Sequence, residues 1–245
     1  NLTITENTYL QRYLLKAVGL SPSKVIVVPN GVDLNLFDPS RYDPEEVREE
    51  LKVKGPLIGF SGKSIYPYYL DLLFRAAPLI FRHNPDARIL IIGNKESWMS
   101  KYGKVLNRVV FTGYVSYDKV PKYLSAIDVA VNVVSRLKIG SIKILEYLSM
   151  AKPVVTTTKL INDHVVKSGA CSIVRPDPNE VGEAVNRLLS NPEERLRMGR
   201  LGRIYAEKFD WSLITRSFLQ AIMKLNNYRP ILTKNLLNEK ITSED

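Results

Sequence analysis

The amino-acid sequence predicts an α/β protein with a doubly wound parallel sheet, and three observations carry that prediction. Short apolar runs alternate with segments of helical periodicity along most of the chain. The strand interiors (LIGF, ILII, VAVNVV, VVTTT) are apolar at odd and even positions alike, as strands covered on both faces require. Glycines follow the ends of these runs, and ligands of such sheets bind beyond the carboxyl ends of the strands.

In chain order, Val25–Val28 is a short strand stopped by Pro29, and PNGVD after it reads as a turn. Asp38–Lys54 is polar, charged and punctuated by proline, with a helix at PEEVREEL. Leu57–Phe60 is a strand that ends in Ser61-Gly62-Lys63. Leu70–Phe81 carries apolar residues at helical spacing, and Asn84-Pro85 stops it. Arg88–Ile92 is a strand ended by Gly93, and Val109–Thr112 another ended by Gly113. Lys119–Ala126 is a short helix and Val129–Val134 a strand. Gly140 and Ser141 open a helix over Ile142–Met150, which Lys152-Pro153 closes. Val154–Thr157 and Ser172–Val174 are the last strands, and Asn179–Leu189, Pro192–Phe209 and Trp211–Leu225 the last helices. Beyond Asn226 the tail is polar and is expected to fray.

Composition narrows the function classes. The 245 residues are 45% apolar and 24% charged, with the apolar residues organised in runs, which excludes an intrinsically disordered chain. Cys171 is the one cysteine, so no disulfide scaffold exists. No apolar stretch approaches the roughly 18–20 residues of a membrane span, and the opening NLTITENT has no signal-peptide pattern. A start at Asn1 leads us to expect a piece of a longer chain. Thirty-five Lys and Arg against 25 Asp and Glu leave a formal charge of +10. The densest basic stretch, Arg195–Arg203, has the spacing of a solvated helix face. An anionic partner fits the charge: a phosphate-bearing substrate, an acidic lipid surface or nucleic acid, the last disfavoured because no RNA-binding or helix-turn-helix motif is present.

The candidate chemistry sits at the strand ends. Gly62-Lys63 combines close backbone approach with a mobile cation suited to a diphosphate; a plain βα turn with a surface lysine is the competing account. Gly93 and Gly113 occupy the equivalent places after the next two strands, as ligand-approach points or simple punctuation. Gly113-Tyr114-Val115 can offer backbone hydrogen bonds and a wall to a base. Gly140-Ser141-Ile142 stands at a helix start, where free amides favour an anion. Glu146, four residues after Ile142, shares its helix face. Its apolar neighbours imply a partly buried carboxylate that needs donors, supplied by a ribose diol or by an internal salt bridge or amide. His83 is placed to bond the last carbonyls of its helix. His164 beside Asp163 is an acid–base pair without a nucleophile motif nearby. GxSxG, HExxH, CxxC and P-loop patterns do not occur, so hydrolase and metal readings lack support.

VIVVPNGVD (Val25–Asp33), IIG, VVFTGYV with VPKYLSAIDVAV, and KILEYLSMAKPVVTTT together resemble the retaining GT-B glycosyltransferases, the family of glycogen synthases, sucrose synthases and bacterial mannosyltransferases. The resemblance runs from about Val25 to Leu225. It implies the Rossmann-like C-terminal, donor-binding half of a GT-B fold. Residues 1–35 would then be the end of the acceptor domain and the hinge, 36–210 the nucleotide-sugar domain, and 211–245 a crossover helix and polar tail.

The resemblance also implies site roles. Glu146 falls on the second glutamate of the E-x7-E motif, which holds the donor ribose. Lys63 falls on the basic residue that meets the diphosphate. Gly140, Ser141 and Ile142 fall on the amides around the phosphates, and Gly62, Gly93, Gly113, Tyr114 and Val115 on the donor-binding loops. Two positions depart from the pattern: Lys138 replaces the first glutamate, and Tyr68 stands where the family has a second lysine. Lys138 is expected to take over the missing positive charge, which makes Lys63, Glu146 and Lys138 the expected catalytic set; weakened or altered donor use is the alternative. No cofactor or metal is implied, the donor being a nucleoside-diphosphate sugar. The expected acceptor is a glycan or lipid-linked sugar held by the other domain. The expected location is the cytoplasm, peripheral at the inner face of the membrane. A catalytically idle GT-B-like binding module and a sugar-nucleotide epimerase are the competing functions; the epimerase would need more carboxylates and histidines than the sequence offers.

Overall fold

The computed structural model describes residues 2–134, 142–157 and 169–226. The chain begins with β1 (Thr3–Thr5), α1 (Thr8–Ala17) and β2 (Val25–Val27), the two strands pairing in parallel as a small separate sheet. The sequence pattern shows the second of these strands but not the first. Three residues that mix threonine with one isoleucine carry too little apolar signal to be read alone.

The main sheet has six parallel strands: β3 (Leu57–Ser61), β4 (Arg88–Ile92), β5 (Val109–Phe111), β6 (Val129–Asn132), β7 (Val154–Thr156) and β8 (Cys171–Ile173). They lie in the order β5-β4-β3-β6-β7-β8. Counted along the sheet this is the 3-2-1-4-5-6 arrangement of doubly wound folds, whose direction of growth reverses between β3 and β6. The register across that reversal pairs Ile58 with Val129 and Gly59 with Ala130.

The two-sided apolar pattern has its counterpart in two cores. Ile58, Phe60, Ile89, Ile91, Val129, Val131 and Val155 point to one face. Leu57, Leu90, Ile92, Ala130 and Val154 point to the other. Against the first face lie α3 (Asp71–His83) and α6 (Pro178–Ser190). Against the second lie α2 (Pro44–Glu50), α4 (Val120–Ser125) and α5 (Ile142–Ser149). α7 (Pro192–Ala206) packs along α5, and α8 (Trp211–Asn226) ends the described chain. Each fully buried Leu, Ile or Phe in these cores contributes about 1.5–3 kcal/mol by leaving water.

Helix starts follow local chemistry. Asp43, Asp177 and Asn191 accept backbone hydrogen bonds at the beginnings of α2, α6 and α7, with proline at the first turn of each. His83 Nδ1 bonds Leu79 O at 3.1 Å, the capping role expected of it. A connection that the sequence pattern misses is the 3-10 segment Ser97–Arg108, whose Trp98 and Tyr102 pack on Phe74.

The basic stretch Arg195–Arg203 is only in part a solvated face. Met198, Gly199 and Gly202 are buried, and a Cβ on Gly199 would come within 2.2 Å of Ala151 O, so α7 lies almost in backbone contact with the end of α5. Arg195 donates to the carbonyls of Leu188 and Leu189, both at 2.6 Å. Arg203 donates to Phe37 O at 2.7 Å and Ser149 O at 2.9 Å. These two cations satisfy carbonyls within the fold.

PNGVD is tied to the far end of the chain. Val32 N–H donates to Phe209 O at 2.9 Å, and Trp211 N–H donates to Val32 O at 3.2 Å. The tail beyond 226 and the His164–Asp163 pair lie outside the described residues.

Candidate functional site

An open pocket of about 460 Å³ lies at the carboxyl ends of the strands where the sheet reverses. It is built from the segments that follow β3, β4 and β5, together with the first turns of α5. Its walls include Gly62, Lys63, Gly93, Tyr114, Val115, Ile142 and Glu146, so the fold brings together seven residues singled out from sequence. The size suits a small-molecule ligand.

The strand ends are laced to one another. Gly62 N–H donates to Ile92 O at 3.2 Å, and Gly93 N–H donates to Thr112 Oγ1 at 3.1 Å. Buried Ser64 donates through Oγ to Asn94 O at 2.7 Å, while its own carbonyl accepts from Trp98 Nε1 at 2.9 Å. Tyr147, fully buried on α5, accepts from Ser61 N–H at 2.8 Å. Burial pushes its phenol well above the ordinary range, so the hydroxyl stays neutral.

Two glycines do different work here. Gly62 has φ +127, and a Cβ there would lie 2.7 Å from Lys143 Nζ. Its missing side chain therefore leaves room for a lysine from α5 as well as for a ligand. Gly113 adopts φ +72, turning the chain so that Tyr114 stands 86% exposed at the mouth of the pocket. Gly113 itself does not line the cavity.

Glu146 is 5% exposed, deeper than a partly buried carboxylate. Its Oε1 accepts from Tyr117 Oη at 3.0 Å. Burial raises its pKa from the ordinary carboxylate value; the Tyr117 hydrogen bond and the nearby Lys143 charge act in the opposite direction. The Tyr117 hydroxyl is held above the ordinary phenol range, by burial first and by the Glu146 charge second. Phe37 packs on the Tyr117 ring at a centroid distance of 5.4 Å, fixing where the hydroxyl points.

Lys63 is exposed at the pocket rim. Lys143 is half-buried, its ammonium 4.1 Å from the Phe60 ring centroid and 4.9 Å from that of Tyr69. Tyr68 belongs to an aromatic stack, 5.4 Å from Tyr66 and 4.5 Å from Tyr69, and is not among the pocket walls. Lys138, Gly140 and Ser141 lie outside the described residues. Sequence reasoning missed Ser64, Asn94, Glu96, Tyr117 and Lys143. For Lys143 a signal existed, since it precedes Glu146 by three residues and so shares its helix face. For Tyr117 there was none, because the fold alone brings it to a residue 29 positions away.

Among the described residues no group of three His, Cys, Asp or Glu side chains is placed to hold a metal ion, and no helix is long and apolar enough to cross a membrane.

A 3-2-1-4-5-6 parallel sheet with its pocket at the reversal is a Rossmann-like ligand-binding domain, here with the architecture of the C-terminal half of a GT-B fold. Residues 55–191, more than half of the chain, match the model of the family "Glycosyl transferases group 1", and the chain belongs to that family. It is 26% identical over 244 residues to spore coat protein SA of Bacillus subtilis (strain 168), an alignment that covers 90% of this chain and 64% of that protein. It is 27% identical over 225 residues to a GDP-mannose-dependent monoacylated alpha-(1-6)-phosphatidylinositol monomannoside mannosyltransferase of Corynebacterium glutamicum, covering 84% of this chain and 58% of that one. The crystal structure of Anabaena Alr3699/HepE in complex with UDP superposes with a TM-score of 0.77 at 20% identity, over 91% of this chain and 64% of that one. The chain thus spans less than two thirds of the length of these proteins.

Proposed function

We propose that this chain is the donor-binding part of a retaining, metal-independent glycosyltransferase that uses a nucleoside-diphosphate sugar. The observation that carries the proposal is the pocket at the sheet reversal, where the buried Glu146 carboxylate and the cations of Lys63 and Lys143 line one cavity. A carboxylate desolvated to this degree is stabilised by hydroxyl donors, and a ribose diol has two. A diphosphate meets the cations, with the glycine-rich ends of β3 and β4 allowing close approach. Membership of the family and the UDP held by the Anabaena neighbour support the same ligand class.

In this reading Lys63 and the first turn of α5 stabilise negative charge as it develops on the departing diphosphate. The sugar passes through an oxocarbenium-like state, and the acceptor attacks from the face that the leaving group vacates, which retains configuration. No protein nucleophile is needed. The family resemblance gives Lys138 the role of a compensating positive charge, and Gly140 and Ser141 that of phosphate-binding residues. Tyr114 and Val115 wall the base. Residues 1–35 are the end of the acceptor domain and the hinge, 36–210 the donor domain, and 211–245 the crossover helix and polar tail. The acceptor, a glycan or a lipid-linked sugar, is held by a second domain in a cytoplasmic enzyme peripheral to the membrane, and the chain alone binds donor without transferring sugar.

The idle binding module is a second reading, favoured by one observation: Tyr68, where the family has a lysine, stands in an aromatic stack away from the pocket walls. A thermal-shift panel of UDP, GDP, ADP and their common sugars tests the proposal. A nucleotide at a hundredfold its dissociation constant should add about 2.7 kcal/mol of stability. For a chain of this size that is roughly 5–10 °C. A shift with one nucleotide, lost in E146A, supports donor binding; no shift with any of them removes it.

A further inference from the structure

We infer that Lys143 is the cation that grips the diphosphate of the donor above the end of β3; the inference rests on the nucleotide-sugar reading. Lys143 lies three residues before Glu146 on α5, so both side chains project from one helix face, and both line the pocket. Glu146 marks the diol end of the ligand, and the neighbouring Lys143 fits the phosphate end.

The ammonium is held in place. The Phe60 and Tyr69 rings lie 4.1 Å and 4.9 Å from it, within cation–π range, and they restrict a side chain that would otherwise sample many rotamers. The backbone makes way for it as well. A methyl group on Gly62 would come within 2.7 Å of Nζ, so the glycine at the end of β3 places this cation against the loop that meets the ligand. Lys63, by contrast, is exposed at the rim and extends from the next residue of that loop. A diphosphate lying over Gly62 would therefore have a fixed cation on its helix side and a mobile one on its solvent side. Such a pair discriminates two phosphates from one: a monophosphate satisfied by the mobile lysine gains little from the fixed one.

The test is calorimetric titration of the 245-residue chain with the nucleoside, its monophosphate and its diphosphate, using the base that the thermal-shift panel selects. The wild type is expected to prefer diphosphate over monophosphate. K143M, which keeps the aliphatic packing, is expected to weaken diphosphate binding by about 10- to 100-fold and leave the nucleoside unchanged. K143R, which keeps the charge, is expected to retain most of the preference. K143Q provides the same comparison if K143M does not fold. A diphosphate preference that survives in the uncharged variants overturns the role of Lys143 while leaving the nucleotide-sugar reading intact. An equal loss for all three ligands shows a merely structural lysine and also overturns it. A wild type that binds none of them overturns both.

Discussion

Tyr147 Oη accepts a 2.8 Å hydrogen bond from Ser61 N–H, and this bond joins the helix that carries Glu146 and Lys143 to the strand end that carries Gly62 and Lys63. Both partners are buried, so a Y147F substitution leaves an amide with neither a protein acceptor nor water. The cost of such an orphaned donor is about 1–3 kcal/mol. For a chain of this length the melting temperature should fall by roughly 2–12 °C. Because the bond also sets the spacing of the two pocket walls, the nucleotide-induced thermal shift should shrink in the same variant. A calorimetric scan with unchanged melting would show that the bond is incidental.

Glu146 is predicted to oppose stability in the free protein. Its carboxyl titrates near 4.5 when unfolded and higher when folded, with burial the main cause. The folded state then holds the proton more tightly, so stability declines as pH rises from about 4.5 through the folded value, and the loss persists at neutral pH. E146Q should be at least as stable as wild type at neutral pH, lack that decline, and give no nucleotide-induced shift. Melting curves across an acid-to-neutral pH series, with and without nucleotide, check all three. A variant that is less stable at neutral pH and still binds would contradict both the electrostatics and the site.

The sheet was legible because its strands are uniform apolar runs ended by glycine: β3, β4 and β6 lie within a residue or two of where LIGF, RILII and the run from Val129 place them. The pocket was legible for a related reason, since ligands of such sheets gather at strand ends and Gly62, Gly93, Val115 and Glu146 meet there. What sequence could not show are pairings created by folding. Tyr117 reaches Glu146 from the connection after β5, and Lys143 reaches the space over Gly62 from α5, whose Tyr147 bonds the end of β3. Charge was the least readable feature. In RLRMGRLGR, periodicity alone does not separate a solvated arginine from Arg203, which spans Phe37 O and Ser149 O within the fold.

Tyr117 supplies the hydrogen bond that partly relieves the buried carboxylate of Glu146. Y117F keeps the ring against Phe37 and removes only the hydroxyl. The Glu146 carboxyl should then titrate higher still. The variant should be less stable than wild type by about 1 kcal/mol at neutral pH, a hydrogen bond to a charged group discounted for the half-exposed tyrosine. The difference should narrow in acid, where Glu146 is protonated in both proteins. Parallel melting-temperature profiles, with the same gap at every pH, would mean that the hydroxyl does not act on the carboxylate.

At the opposite end of the sheet, Arg48 and Asp128 should govern stability without touching binding. Asp128 Oδ2 accepts from Arg48 Nη2 and from Leu57 N–H, both at 2.7 Å, at the amino end of β3. The same guanidinium donates to Ala126 O at 2.8 Å and Gly55 O at 2.9 Å, so it fastens α2 to the starts of β3 and β6. With side-chain exposures of 14% and 27% the pair is largely withdrawn from water. R48M leaves the carboxylate and two carbonyls without this donor, which should cost about 2–4 kcal/mol. The pocket lies at the other end of the strands, so the nucleotide-induced shift should be that of wild type. Arg175 and Glu180 offer the contrast: their ion pair is exposed on the arginine side, and R175A should leave the melting temperature unchanged. A double-mutant cycle of R48M with D128N measures the coupling directly. Additive losses would assign the stabilisation to the carbonyl bonds of Arg48; a smaller loss in the double variant than the sum of the singles would assign it to the ion pair.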